Sequence, residues 1–170
     1  MGRRPLAAVF SGGPAQSVTA SAKPSVAASP TVIGPVSWST VSSPNPPGST
    51  GAWLAGLSCV TADDCWAAGG WGDVNYGGPT LVEQDTGSGW SIVPSPAPPG
   101  STQSALNAVS CASAADCWAV GFSGDETFNT SALIEQDTGA GWTIVSDVAP
   151  TGNAGGEVLS GMTCMSTGHC

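Results

Sequence analysis

The sequence predicts an all-β protein that is built from a repeated unit of four short antiparallel strands. Charged residues make up only 9% of the 170 residues, while Gly and Pro contribute 24 and 14, a composition that disfavours long helices. The apolar fraction of 41% and the seven Trp residues exceed what a chain without a core carries. The chain also repeats itself every 52 residues, a period that is typical of propellers and solenoids.

Residues 1–37 and residues 38–170 differ in composition, and we expect a boundary between them. The first segment has a short basic start at Met1–Arg4 and an apolar run at Leu6–Phe10, followed by a stretch rich in Ala, Ser, Pro and Gly. The apolar run is shorter than a secretory signal requires, so a degenerate signal and an arbitrary start both remain open. The rest of the segment is predicted to be a linker.

Residues 38–170 contain three successive copies of the repeat. Copies 38–89 and 90–141 are identical at 28 of 52 positions, and the third copy, 142–170, is shorter. Four antiparallel strands in about 50 residues is the size of one propeller blade, and a closed propeller needs about four to eight blades. We therefore expect a β-propeller fragment of about two full blades plus partial ones, with the remaining blades in the same parent chain.

Each predicted strand is short, contains Val, Ile, Leu or Trp, and is bounded by Gly, Pro, Ser or Asp. In chain order the predicted strands are Trp38–Val41, Leu54–Val60, Cys65–Gly69, Thr80–Gln84, Trp90–Val93, Leu106–Ala112, Cys117–Gly121, Ala132–Gln136, Trp142–Val145 and Leu159–Met165.

The six cysteines form three local pairs, each at the tip between a predicted first and second strand. The pairs are Cys59 with Cys65, Cys111 with Cys117, and Cys164 with Cys170. Zinc sites usually have shorter Cys spacing and a second pair or a His nearby, and the one His of the chain is His169. We therefore predict three hairpin disulfides, no metal and no cofactor. Disulfides persist in oxidising compartments, so the location is predicted to be extracellular or at the cell surface.

The turn between the third and fourth strands reads Asp-Thr-Gly-x-Gly-Trp in both full copies. Asp can accept hydrogen bonds from the backbone of its own turn, and Gly supplies positive φ. This turn resembles the Asp-box (BNR-like) turn of sialidase-like propellers, although Glu83 and Glu135 stand where that pattern has Ser or Thr. The matching positions are Asp85, Gly87, Trp90, Asp137, Gly139 and Trp142.

The whole cysteine-containing repeat also resembles the secreted β-propeller repeats that are common in actinobacterial genomes. That resemblance covers residues 38–170 and implies a propeller with structural Asp-box turns. It implies almost nothing about the ligand or the reaction.

The distribution of charge excludes several classes of partner. All three basic residues precede residue 24, and residues 38–170 contain twelve acidic residues without a Lys or Arg. Nucleic-acid binding needs cations to neutralise phosphate, so no nucleic-acid partner is expected. No stretch approaches the roughly 20 apolar residues of a transmembrane helix.

Positions that differ between the copies are freer to bind a ligand than positions that repeat. Trp66 and Trp118 repeat, as do Trp90 and Trp142, so these residues are assigned to packing. We expect the connection between copies and the loop between the second and third strands to emerge at the same end of a blade. The candidate binding residues in these two connections are Trp53, Trp71, Asp73, Asn75, Tyr76, Asp125, Glu126 and Phe128.

These residues predict a non-catalytic binding or surface-interaction module for a neutral glycan or an extracellular protein. The alternative for the residues themselves is that they are ordinary exposed loop positions. No catalytic residue is identified, because Asp125 and Glu126 are adjacent and no carboxylate pair across the fold can be named. Two other functions remain open: a fragment of an Asp-box glycoside hydrolase, and a purely structural extracellular repeat.

Overall fold

A computed structural model of the protein describes residues 40–72, 78–127, 129–148 and 156–170. Within these residues the chain is all-β, with eight strands and no helix. The predicted linker, the signal-like start and Trp38 lie outside the described residues. The strands are β1 (Ala52–Thr61), β2 (Asp64–Trp71), β3 (Thr80–Asp85), β4 (Trp90–Val93), β5 (Gln103–Ser113), β6 (Asp116–Gly124), β7 (Thr130–Asp137) and β8 (Trp142–Val148).

The strands form two antiparallel sheets of four, in which each strand pairs with its neighbour in sequence. Sheet I contains β1 to β4 and sheet II contains β5 to β8, and neither sheet is closed. This confirms the predicted all-β class and the predicted four-stranded antiparallel unit. All eight strands predicted for the two full units are present, and their ends extend by up to three residues beyond the predicted bounds.

The described residues of two further predicted strands form no strand. Thr40 and Val41, the described part of the first predicted strand, have no strand conformation, and neither do residues 159–165. A strand requires a hydrogen-bonded ladder with a neighbour. In residues 156–170 the only ladder contact is an isolated bridge between Ser166 and His169.

All three predicted disulfides are present. Cys59 pairs with Cys65 across the hairpin of β1 and β2, and Cys111 pairs with Cys117 across the hairpin of β5 and β6. Cys164 and Cys170 form the third bridge, and no described cysteine is free. Each bridge therefore closes one hairpin within a single copy.

Glycine is required where β2 and β6 pass the bulge in the preceding strand. A Cβ on Gly69 would overlap the carbonyl oxygen of Trp53, and one on Gly121 would overlap that of Ala105. The pairing register shifts at this point, between Leu54 and Gly56 in β1. The bulge adds a residue to the strand, and the bare backbone of glycine gives the ladder room to close beside it.

Each sheet has two distinct faces, because side chains alternate along a strand. We call one the glutamate face; in sheet I it carries Leu57, Cys59, Cys65, Ala67, Glu83 and Trp90, and in sheet II Val109, Cys111, Cys117, Ala119, Glu135 and Trp142. We call the other the serine face; in sheet I it carries Ser58, Trp66, Ala68 and Val82, and in sheet II Ser110, Trp118, Val120 and Ile134.

The core lies where the glutamate face of sheet II packs on the serine face of sheet I. Trp66 of sheet I meets Trp142 of sheet II edge to face, with ring centroids 5.5 Å apart. Both indoles are buried, as are the aliphatic residues around them. Burial of such large apolar side chains is the main stabilising contribution to the contact between the sheets.

At two places in the chain, a cysteine hairpin donates a hydrogen bond to the preceding repeat. The Cys111 backbone N–H donates to the Ser58 hydroxyl at 3.0 Å, and the Cys164 N–H donates to the Ser110 hydroxyl at 2.9 Å. Residues 156–170 therefore lie on the serine face of sheet II in the place that β5 takes on sheet I.

Candidate functional site

A polar cleft of about 270 Å³ lies at one end of sheet II. One wall is the connection between the two sheets, and the other is formed by the ends of β6 and β7 with the loop between them. The cleft is lined by Pro98, Pro99, Gly100, Ser101, Ser123, Gly124, Asp125, Asn129 and Ser131. The structure thus brings the inter-copy connection beside the loop between the second and third strands, as the sequence predicted.

The connection wall is a tight turn. The N–H of Ser101 donates to the carbonyl of Pro98 at 3.1 Å, and Gly100 has a φ of 80°. These features define a type II turn, which needs positive φ at its third residue. The Ser101 hydroxyl also donates to the Pro98 carbonyl, at 2.7 Å, and the turn is anchored where the Thr102 N–H donates to Gly124.

The other wall is held by Asp125. Its Oδ1 accepts hydrogen bonds from the Thr127 N–H at 2.8 Å and from the Thr127 hydroxyl at 2.6 Å, with a longer one from the Asn129 N–H. The hydrogen bonds from Thr127 are the main reason that the pKa of Asp125 is lowered. Asp125 is therefore an anion that organises its own loop, and it is unsuited to act as a general acid.

The charges around the cleft define what it can accept. Its lining includes one acidic side chain and no basic one, so it offers no partner to a phosphate, sulfate or carboxylate. Serine hydroxyls, the Asn129 side-chain amide and backbone groups supply the remaining polarity. A neutral ligand with several hydroxyl groups suits such a surface, because it can both donate to oxygen acceptors and accept from hydroxyls.

Trp53 does not lie in the connection where the sequence placed it. It lies inside β1, opposite Gly70, and its indole lies so close to Gly70 that a Cβ there would be 2.6 Å from Cζ2. The same Cβ would be 3.2 Å from the Cβ of Ala105 in sheet II. Trp53 therefore packs at the contact between the sheets.

Trp71 ends β2 and is half-buried. Its register partner is Ala52, one residue from Trp53, so the two indoles lie on opposite faces of sheet I. They cannot form one shared aromatic platform. Asp73, Asn75, Tyr76 and Phe128 lie outside the described residues, and Glu126 is exposed in the loop beside Asp125.

The two turns that resemble an Asp-box have the same geometry. Asp85 Oδ1 accepts from the N–H groups of Gly87 and Gly89 at 2.9 and 3.0 Å. Asp137 Oδ1 makes the equivalent bonds at 2.7 and 3.0 Å. The carboxylates are thus used within the turns, which lie at the opposite end of the strands from the polar cleft.

Two buried glutamates are not among the site residues predicted from the sequence. Glu83 and Glu135 are both fully buried, and each accepts from a serine hydroxyl that precedes its own sheet, Ser43 and Ser95 respectively. Burial raises the pKa of Glu83, and it raises that of Glu135 to about 7. The only signal in the sequence was that both replace the Ser or Thr of the Asp-box pattern.

Comparison of the chain with protein-family models, with curated proteins and with solved structures gives no significant match. Among the described residues, no three His, Cys, Asp or Glu side chains are arranged to hold a metal ion. No helix long and apolar enough to cross a membrane occurs in the same part of the chain.

Proposed function

We propose that residues 38–170 are a segment of a secreted β-propeller-like repeat protein that acts as a non-catalytic binding module. The polar cleft at the end of sheet II carries this proposal. It is formed where an inter-repeat connection meets the loop after a second strand, and its cation-free, hydroxyl-rich lining suits a neutral glycan.

Export is supported by the cysteines. All six are paired in three hairpin disulfides, and such bridges persist outside the reducing cytosol. The propeller interpretation rests on two sheets of equal strand order that stack face to face with a repeat of 52 residues. The Asp-box resemblance of the turns at Asp85 and Asp137 agrees with it.

A glycoside hydrolase is less well supported by the described residues. Glycosidases need two carboxyl groups on either side of the scissile bond. The cleft has only Asp125, whose pKa is lowered by its hydrogen bonds to Thr127. Glu135 has a raised pKa but is fully buried, so no substrate reaches it.

The test is binding of a panel of neutral oligosaccharides to the oxidised chain, measured by calorimetry. Ser131→Tyr places a ring in the cleft and is expected to weaken any binding by about tenfold or more, equivalent to about 1.4 kcal/mol. Ala140→Tyr, in the exposed turn at the far end of sheet II, is the matched control. If both variants bind like the wild type, the cleft is not the site; if no glycan binds at all, the structural role gains.

A further inference from the structure

The glutamate face of sheet I leaves several apolar side chains exposed around the buried Glu83 and Ala67. It carries a groove of about 340 Å³ lined by Val41, Leu54, Leu57, Ala67 and Trp90, among others. Val41 is 67% exposed and Leu57 is 64% exposed. Single exposed apolar residues are ordinary, but a contiguous group of this kind marks an interaction surface.

The same face of sheet II shows what this surface is built to meet. Leu106, Val109 and Trp142 are the equivalents of Leu54, Leu57 and Trp90. Their relative exposures are 0%, 6% and 6%, because they lie against the serine face of sheet I. The residue types are alike in the two sheets. A serine face covers the set in sheet II, and none covers the set in sheet I.

The chain carries a second serine face, on sheet II, with Trp118 in the place of Trp66. Residues 156–170 cover it incompletely. They leave a groove of about 380 Å³ that is lined by Trp118, Val120, Ile134 and Met162, among others. Trp118 is half-buried there, whereas Trp66 is buried by Trp142.

We infer that the glutamate face of sheet I is an interaction surface for a second copy of this chain, which docks through the serine face of its sheet II. Trp90 of one copy then meets Trp118 of the other, as Trp142 meets Trp66 within the chain. The Ser110 hydroxyl accepts from the Cys59 N–H, as Ser58 does from Cys111.

This contact requires segment 156–170 of the second copy to move aside, because it occupies the place that β1 of the first copy would take. The segment is held by hydrogen bonds that include those from the Leu159 N–H to the Gly121 carbonyl and from the Cys164 N–H to the Ser110 hydroxyl. The incoming sheet adds the burial of Leu54, Leu57 and Trp90, which favours the exchange. Because the two surfaces differ, the contact is heterologous and leads to a ring or a continuing chain of copies.

The experiment uses two variants of the full oxidised chain that each damage one surface. Leu57→Asp places a charge on the glutamate face, and Trp118→Ala removes the indole from the serine face. The wild type is expected to associate with rising concentration in sedimentation velocity, and each variant alone is expected to stay monomeric. An equimolar mixture should form a one-to-one complex that grows no further, since only one intact pair of surfaces remains.

The controls separate this contact from other kinds of association. Ala140→Asp adds the same charge to the exposed turn between β7 and β8, away from both surfaces, and should associate like the wild type. Circular dichroism checks that Trp118→Ala folds, and Ile134→Asp repeats the test on the neighbouring strand if it does not. A wild type that is monomeric at every concentration would overturn the inference, as would variants whose mixture remains monomeric.

Displacement of segment 156–170 gives a second readout. Hydrogen exchange at the Cys164 amide should become faster as the wild type associates, because Ser110 changes its donor. Slower or unchanged exchange during association would contradict displacement of segment 156–170 and so the proposed surface.

Discussion

Replacing Glu135 by Gln should stabilise the protein at neutral and alkaline pH. Glu135 is fully buried, and its one described hydrogen bond is the 2.8 Å bond from the Ser95 hydroxyl to Oε2. Burial outweighs that bond and raises the pKa from 4.5 to about 7. The folded protein therefore prefers the neutral acid, which Gln imitates in size and shape.

The direction of the pH effect follows from proton linkage. Between pH 4.5 and about 7 the folded state keeps the Glu135 proton while the unfolded state loses it, so stability falls as pH rises. Above pH 7 the folded state bears the full cost of burying the ionised Glu135 carboxylate. A difference of about 2.5 pKa units corresponds to about 3 kcal/mol. The free energy of unfolding of Glu135→Gln should therefore exceed that of the wild type by up to about 3 kcal/mol above pH 7, and by little below pH 4.5.

The assay is urea unfolding followed by tryptophan fluorescence at several pH values, with the disulfides intact. Glu126→Gln, which removes an exposed carboxylate from a loop of the same sheet, controls for the change in net charge. Ser95→Ala should extend the loss of stability to higher pH, because the Ser95 hydrogen bond lowers the pKa of Glu135. A variant that differs from the wild type by the same amount at every pH would refute the reasoning.

Three further predictions concern the scaffold and are tested by the same unfolding assay. Gly56→Ala should cost about 1–3 kcal/mol, since its Cβ would lie 2.8 Å from the backbone of β5, whereas Gly161→Ala, which has open space, should be nearly neutral. The double change Cys59→Ser and Cys65→Ser should cost about 2 kcal/mol through the freed unfolded chain, and no loss would contradict that model. Burial raises the pKa of Asp116, but hydrogen bonds from Gln136, Trp118 and Gly168 outweigh it and lower the pKa below 3.8. Asp116→Asn should therefore be less stable than the wild type near neutral pH, with a difference that shrinks as pH falls through the lowered pKa; a constant difference would contradict this.

The strands of the two full repeats could be predicted because apolar and turn residues mark them locally. The bounds of β4 are those predicted, since Trp90 follows a glycine turn and Val93 precedes a proline. Residues 159–165 have the same kind of sequence as β1 but form no strand. Residue type sets the preference for extended structure, and the pairing partner decides whether a ladder forms.

The candidate site was predicted less well, because differences between repeats have more than one cause. Trp53 and Ala105 occupy equivalent positions, and by the reasoning from the sequence their difference predicts ligand binding. In the structure they lie near each other across the contact between the sheets, so a large side chain in one repeat is matched by a small one in the next. Asp125 lines the cleft, and its role in binding stays a prediction; its hydrogen bonds to Thr127 could not be predicted from two loops of different sequence.

The sheets of this protein are held to each other without any covalent link except the main chain. Each disulfide joins cysteines six residues apart within one hairpin, so none crosses from sheet I to sheet II. A single proteolytic cut in the connection between β4 and β5 would leave every bridge intact and still allow the two sheets to separate in denaturant. Oxidation therefore protects each repeat individually, while the cohesion of the array depends on side-chain packing and on hydrogen bonds such as that from Cys111 to Ser58.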